Sequence, residues 1–431
     1  MKRRFTLLAL LVSVASLAVA ATAVGGSTQT PVTGKVAVLG PYGGADEASF
    51  QAVLDGFEQR NPQANVTFTS GGATTGTTLA DLVARRAQLP DVALLTLPSD
   101  AGVMRDLVKA GALTSLGFAE KALDESYAFA WKRIGLVDGR LYGLPFKATE
   151  RSAFWYDPRL FARAGVEAPR TWRALERVTG RLLQAGIKPF AIPAADGQAL
   201  TDVFESVYLG QQGQSRYERL AAHRIKWTDP SVKSALRATR GVIANPFFMP
   251  GGMRSALATD VKGAVSQVFG ARPRAAMVFG GSAVLPVHST MPNMRPLSQF
   301  GTFAFPAIGK PPARVIGRAD AVVMLEDTPA ARALVRYLAT PEAASIWAKR
   351  GAFLSPNRKV DPNTYPTEPS RELAEALTKA NAFRLDLSEQ QPAAFRTRLG
   401  ELVREFVRRP AALDRVTTQL EAAASRAFEL S

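Results

Sequence analysis

Short apolar runs alternate with helical stripes along the first third of the chain. Val36-Ala37-Val38-Leu39 predicts a strand, ending in the turn-forming run Gly40-Pro41-Tyr42-Gly43-Gly44. Phe50, Val53, Leu54 and Phe57 then recur at helical spacing, one apolar face on a helix that Asn61-Pro62 stops. Val66-Thr67-Phe68-Thr69 predicts a second strand running into Ser70-Gly71-Gly72. A helix over 79–87 leads to Val92-Ala93-Leu94-Leu95-Thr96-Leu97, apolar almost without alternation, as a strand buried on both faces requires. Met104, Leu107 and Val108 mark one more helix before Gly111. Strand–helix–strand units of this kind predict a parallel sheet with helices on both faces, and such sheets bind ligands outside the carboxyl ends of their strands. Here those ends are residues 40–43, 70–72 and 98–100. Any one of them reads as an ordinary turn; three on one sheet edge outline a pocket.

Further on the pattern changes. From about 170 to 253 it is mainly helical, with Leu175, Val178, Leu182 and Leu183 on one stripe and Val203, Val207 and Tyr208 on another. Strand-like segments return at 275–279, 301–305 and 322–325, and residues 372–428 are predicted helical, rich in Ala and Arg. No internal repeat interrupts this order. At the N-terminus, Lys2, Arg3 and Arg4 precede an apolar run over 5–21 and then small residues, the pattern of an exported leader over 1–23. The competing reading is a retained membrane anchor. No Cys follows the run, so a Cys-anchored lipoprotein is not expected.

Composition narrows the chemistry. The 431 residues suit two or three domains. There is no Cys, and the only His residues are His223 and His288, which excludes disulfide frameworks, zinc fingers, Fe–S clusters and Cys nucleophiles. No cofactor or metal site is expected. P-loop, G-x-S-x-G, H-E-x-x-H and G-x-G-x-x-G motifs are absent. A glycan-acting enzyme needs only two placed carboxylates and stays open as an alternative. The formal charge is +16, and with the leader's three positive charges gone it stays near +13. The basic stretch 396–409 holds only one aromatic, Phe406, whereas single-strand binders interleave several, so no nucleic-acid partner is expected.

Several phrases of the chain resemble the extracellular solute-binding proteins of ABC importers, family 1 (sugar-binding type): FEQRNPQANVTF (57–68), LPDVALLTLPSDAGVMRDLVKAGALTSL (89–116), DGRLYGLPFKATERSAFWYDPRLFARAGVEAPRTWRAL (138–175) and AAMVFGGSAV (275–284). LVRYLATPEAASIWAKRGAFLSPNRKVDPNTYP (334–366) and NAFRLDLSEQQP (381–392) are similar to the α-glucoside-binding subgroup. The resemblance implies an α/β periplasmic binding protein fold of type II, two lobes that close on a ligand by hinge motion. The crossings are expected at 146–151 and 315–320. The first lobe is then 24–148 with 319–356, and the second 149–318 with 357–431. It also implies a monomer exported to the periplasm or cell exterior, which captures a small carbohydrate and delivers it to membrane permease subunits without chemistry.

Carried onto this sequence, the resemblance nominates Tyr42, Gly43, Ser70, Gly71 and Asp100 on the first-lobe loops. Lys147 and Glu150 flank the first crossing, with a solvated ion pair as the competing reading; Arg318 and Asp320 lie at the second. Thr201-Asp202 matches a Thr-Asp pair of the subgroup, although Val203 stands where a Trp is expected, and Phe279, Gly281 and Ser282 mark the cleft turn, where Ala283 replaces a frequent aromatic. Trp131, Trp155 and Trp172 are expected in the core or hinge. Two ligand classes remain, a neutral oligosaccharide of α-glucoside type and an anion such as a glycerophosphodiester or sugar phosphate, which helix N-termini and Lys/Arg would hold.

Overall fold

The computed structural model describes residues 31–242, 245–309, 315–379 and 383–429. The expected leader lies outside them. In chain order the strands are β1 (Thr33–Gly40), β2 (Gln63–Ser70), β3 (Val92–Leu97), the small hairpin β4 (Leu136–Val137) and β5 (Arg140–Leu141), β6 (Leu144–Glu150), β7 (Phe154–Tyr156), β8 (Phe190–Ala191), β9 (Met277–Phe279), β10 (Gly301–Phe303), β11 (Val315–Met324) and β12 (Phe383–Leu385).

β1 pairs in parallel with β2 and β3, as the alternation of strands and helices predicts. The long β11 then runs antiparallel to β3 on one side and to β6 on the other, while β12 lies parallel to its first three residues. A second sheet has the order β10-β7-β9-β8. β6 and β11 are therefore the strands that carry the chain between the two sheets, at the positions expected for the crossings. Their pairing slips by one residue between Asp320 and Ala321, because Asp320 faces Lys147 but Ala321 faces Pro145, leaving Phe146 as a β-bulge.

The helices start where the sequence supplies caps. Thr328-Pro329 and Thr340-Pro341 open two of them, each Thr side chain accepting a hydrogen bond from the backbone three residues on while Pro fills the first helical position. Asp157-Pro158 opens another in the same style.

The expected helical C-terminal part contains a strand, β12, followed by an irregular polar run over 386–391. A three-residue strand shows no periodicity, so pattern alone misses it. Helix Glu368–Lys379 touches both sheets. Leu377 O accepts the buried Trp131 indole N–H at 3.2 Å, and Glu372 accepts from Thr302 of β10. One buried apolar cluster runs from β1 and helix Ala45–Arg60 through Ala148, Ala153 and Trp155 to helix Val261–Phe269, so packing is continuous across the crossing strands. The second sheet and the helices around it share another cluster. The resulting architecture is the two-lobed α/β fold.

Candidate functional site

Side chains alternate across β11 and β6, and the two strands present their polar residues to one face. Arg318 stands opposite Thr149 and Asp320 opposite Lys147. Toward β3, Asp320 stands opposite Thr96, whose hydroxyl donates to the Asp320 carboxylate at 2.9 Å. We call this side the front. Lys147 is largely buried there. Its ammonium pairs with Asp46 at 2.5 Å and sits 4.5 Å over the Trp347 ring and 5.2 Å from the Tyr42 ring. Tyr42 itself belongs to an aromatic cluster with Phe50 and Trp347 and is 3% exposed. Its hydroxyl is buried beside the Asp320 carboxylate, and burial together with that charge pushes its pKa well up.

Asp100 closes the loop after β3, its carboxylate accepting the Thr96 backbone N–H at 2.9 Å. Burial raises the pKa of Asp100 and of Asp320, although Lys147 and Arg318 oppose it at Asp320. Gly43 and Ser70 are neighbours at the strand ends, and the Gly71 N–H bonds Gly40 O at 2.8 Å, so the first two loops do converge.

Arg151, just past β6, organises the second part of the front. Its guanidinium reaches Asp202 at 3.0 Å, Asp386 at 3.1 Å and Glu389 at 3.3 Å. Burial opposes the charge of Arg151, but the three carboxylates outweigh it and keep it protonated. Arg318 shares Glu389 at 3.3 Å, and Ser99 from the β3 loop donates to the same carboxylate at 3.0 Å. Asp202 also accepts from Gln198 at 2.7 Å, and burial, against the Arg151 charge, pushes its pKa to about 7. Asp202, Glu205 and Asp386 have carboxylate oxygens within 4.8 Å of one another. That grouping is answered by protein: Arg151 supplies the countercharge, and Glu205 accepts the Leu387 and Ser388 backbone N–H groups and the Tyr217 hydroxyl.

Thus Tyr42, Asp100, Lys147, Arg318 and Asp320 come together, with Asp202 joined through Arg151 and Gly43, Ser70 and Gly71 on the adjoining loops. Four others serve the opposite side of the crossing. Glu150 is buried, not paired with Lys147; its carboxylate accepts the Ser152 N–H (2.7 Å), the Ser152 hydroxyl (2.5 Å) and the Ala153 N–H (3.0 Å). Burial raises it to about 7. Phe279 is fully buried between Phe154 and Phe305, so its ring meets the core. Gly281 has φ +50°, and a Cβ there would fall 2.1 Å from Glu150 O. The Ser282 hydroxyl bridges the N–H and carbonyl of Glu150. These residues hold the second sheet's turn onto the crossing strand.

Sequence reasoning missed Asp46, Thr96, Ser99, Arg151, Gln198, Asp386 and Glu389. Arg151 was within reach as the charged residue ending the first crossing. A separate groove of about 810 Å³ lies beside helix Ala101–Lys109, lined by Met104, Leu136, Phe383 and Glu389 among others. It shares Pro98, Ser99, Tyr217, Glu389 and Arg396 with the surroundings of the front.

Comparison with known proteins places this geometry. Residues 40–345 match the family model described as bacterial extracellular solute-binding protein. The osmoprotective compounds-binding protein GgtB of Synechocystis sp. is 29% identical over 372 residues, covering 84% of this chain and 86% of that protein. The alpha-glucosides-binding periplasmic protein AglE of Rhizobium meliloti is 29% identical over 374 residues, covering 82% and 79%. Among solved structures, the bacterial solute receptor AcbH superposes with a TM-score of 0.78 at 18% identity over 92% of this chain and 98% of its own. RafE from Streptococcus pneumoniae gives 0.75 at 17% identity over 91% and 97%. With its crossing strands, paired α/β sheets and a family match spanning most of its length, the chain belongs to the bacterial extracellular solute-binding proteins.

Proposed function

We propose that this protein is the ligand-capturing component of an ABC importer, working outside the cytoplasmic membrane, and that it takes a neutral polyhydroxylated carbohydrate of α-glucoside type. The observation that carries the ligand class is the pairing on the front. Lys147 is matched by Asp46, Arg318 by Glu389, and Arg151 by Asp202, Asp386 and Glu389. An anionic ligand would need a cation to meet it, and Lys147, Arg151 and Arg318 already hold carboxylates, while Arg396 donates to Glu389 O. A band of paired charges instead offers donors and acceptors side by side, which suits hydroxyl groups. The names of the two relatives, one binding alpha-glucosides and one osmoprotective compounds, fit the same reading. The anionic reading is correspondingly weakened. Capture and delivery to permease subunits are the work proposed for the site.

Calorimetry on ligand-stripped protein tests this against α-glucosides, other neutral disaccharides, polyols and phosphodiesters. The expected result is α-glucoside binding that changes little with ionic strength, because no net charge pair forms. Binding confined to phosphorylated ligands, with steep salt dependence lost in Arg318→Gln, would overturn it. Closure about β6 and β11 should also shrink the particle in small-angle scattering when a proven ligand saturates it.

A further inference from the structure

The basic charge of this chain is not evenly spread. Between residues 230 and 319 there are eleven Lys and Arg and a single acidic residue, Asp260. The fold concentrates part of that excess at one end of the second sheet. β8 and β9 run in parallel, and the end of β9 after Phe279 turns toward Glu150 and the crossing; both strands begin at the far end. Helices Trp172–Gln184 and Val261–Phe269 lead into those beginnings. Four exposed cations stand there: Arg181 in the last turn of the first helix, Lys188 before β8, and Arg272 and Arg274 before β9. The Ala276 N–H bonds Lys188 O at 2.9 Å, so the two strand entries are adjacent.

Phe247 joins them. The Lys188 ammonium donates to Phe247 O at 2.9 Å, and the neighbouring Phe248 contacts Phe190 of β8. Phe247 is 72% exposed, an unusual place for a large apolar ring. No carboxylate ion-pairs with Arg181, Lys188, Arg272 or Arg274 among the described residues. The acidic groups of this end lie elsewhere. Asp157 is buried between Arg159 and Arg295, and Glu167, Glu368 and Glu372 gather toward Tyr156 on the β10 side.

We propose that this end of the second sheet docks on an anionic phospholipid surface, with the four cations facing the headgroups and Phe247 entering the interface. Unpaired cations beside an exposed aromatic are the combination that interfacial binding uses. A protein partner would need an apolar pocket fitted to a single ring, whereas the bilayer interface accepts the ring without one. Docking would hold the binding protein against the membrane, whichever sugar its cleft carries.

Co-sedimentation with phosphatidylcholine vesicles, with and without about one-third phosphatidylglycerol, tests the proposal. The protein should partition onto the anionic vesicles only, and lose binding as salt rises. Each cation near such a surface contributes roughly fivefold, so the double variant Lys188→Ala, Arg274→Ala should lower partitioning about 25-fold. Phe247→Ser should lower it about 10-fold at the low salt where the wild type partitions. All these residues are exposed, so melting temperature and sugar affinity should stay at wild-type values, which separates failure here from failure of the ligand assignment. Equal sedimentation with neutral vesicles, no partitioning, or a double variant that partitions like wild type would overturn the proposal. So would capture by permease in neutral lipid that the double variant loses while vesicle binding stays absent.

Discussion

The two faces of the crossing strands put the same residue types to opposite uses. On the front, Asp320 and Lys147 stand opposite each other, and their partners Thr96 and Asp46 come from β3 and from the first turn of helix Ala45–Arg60. On the other face, Glu150 is folded back onto its own turn, with both carboxylate oxygens engaged by Ser152 and Ala153, and Ala148 and Ala319 are 2% and 1% exposed. A carboxylate satisfied within three residues of itself is a structural brace. One whose contacts are drawn from distant segments is available to a ligand that joins them. The alternation of a strand is enough to separate these roles within ten residues.

Breaking the brace should have the largest effect. Gly281→Ala puts a methyl group 2.1 Å from Glu150 O at a backbone angle that only Gly adopts freely, so urea unfolding should show a loss of roughly 4 kcal/mol or more. If Gly281→Ala unfolds at the wild-type midpoint, the back face is not the rigid side.

Next comes the hub of the front. Arg151→Met leaves Asp202, Asp386 and Glu389 buried without their shared countercharge and should cost about 3–5 kcal/mol. The companion Arg318→Met, whose side chain is 38% exposed, should stay within about 1 kcal/mol. Similar losses for both would erase the distinction between a hub and a rim cation.

Smaller still should be the effect of Asp320→Asn on ligand. The amide keeps the shape but weakens charge-assisted acceptance, so affinity should fall about 10-fold while the unfolding midpoint hardly moves. The matching Glu150→Gln should do the reverse, lowering stability and sparing affinity. Calorimetry and denaturation on the pair test the comparison directly.

The finest test is pH. Asp202 and Glu150 are both pushed to about 7 in the folded chain, above the ordinary carboxylate range of roughly 4 expected when it unfolds. Between those values the folded state holds more protons, so stability present at low pH is lost as pH rises. Melting temperature should fall from about pH 5 to about pH 8, and Asp202→Asn should flatten part of the slope. A rise over that interval would mean that the Arg151 charge outweighs burial at Asp202.

Much of the scaffold is legible in the sequence, because β1, β3 and β9 are apolar runs, β2 alternates, and the helices show clear stripes and caps. The crossings at β6 and β11 follow from the family resemblance. β12 is too short to carry a period, and the run over 386–391 has none. The site is harder to read, since its pairs are made across the fold: Lys147 with Asp46 is a separation of 101 residues, Thr96 with Asp320 of 224, and Arg151 with Glu389 of 238. Sequence supplies the right kinds of residue near the crossings, but which carboxylate answers which cation is decided by register. Phe279 shows the converse, a motif position whose ring the strand's parity turns into the core.

The bulge at Phe146 ties the site to the length of β6. A regular strand would send consecutive side chains to opposite faces, yet here Phe146 packs against Trp347 at 6.2 Å while Lys147 stands over the same ring. One extra residue therefore gives the front both an aromatic floor and a cation from neighbouring codons. Removing that residue would join the Pro145–Ala321 pair directly to the Lys147–Asp320 pair, restoring a regular ladder but taking the Phe146 ring away from Trp347. A substitution along the crossing changes one contact of the site, whereas a change of its length there removes the aromatic floor and the bulge together.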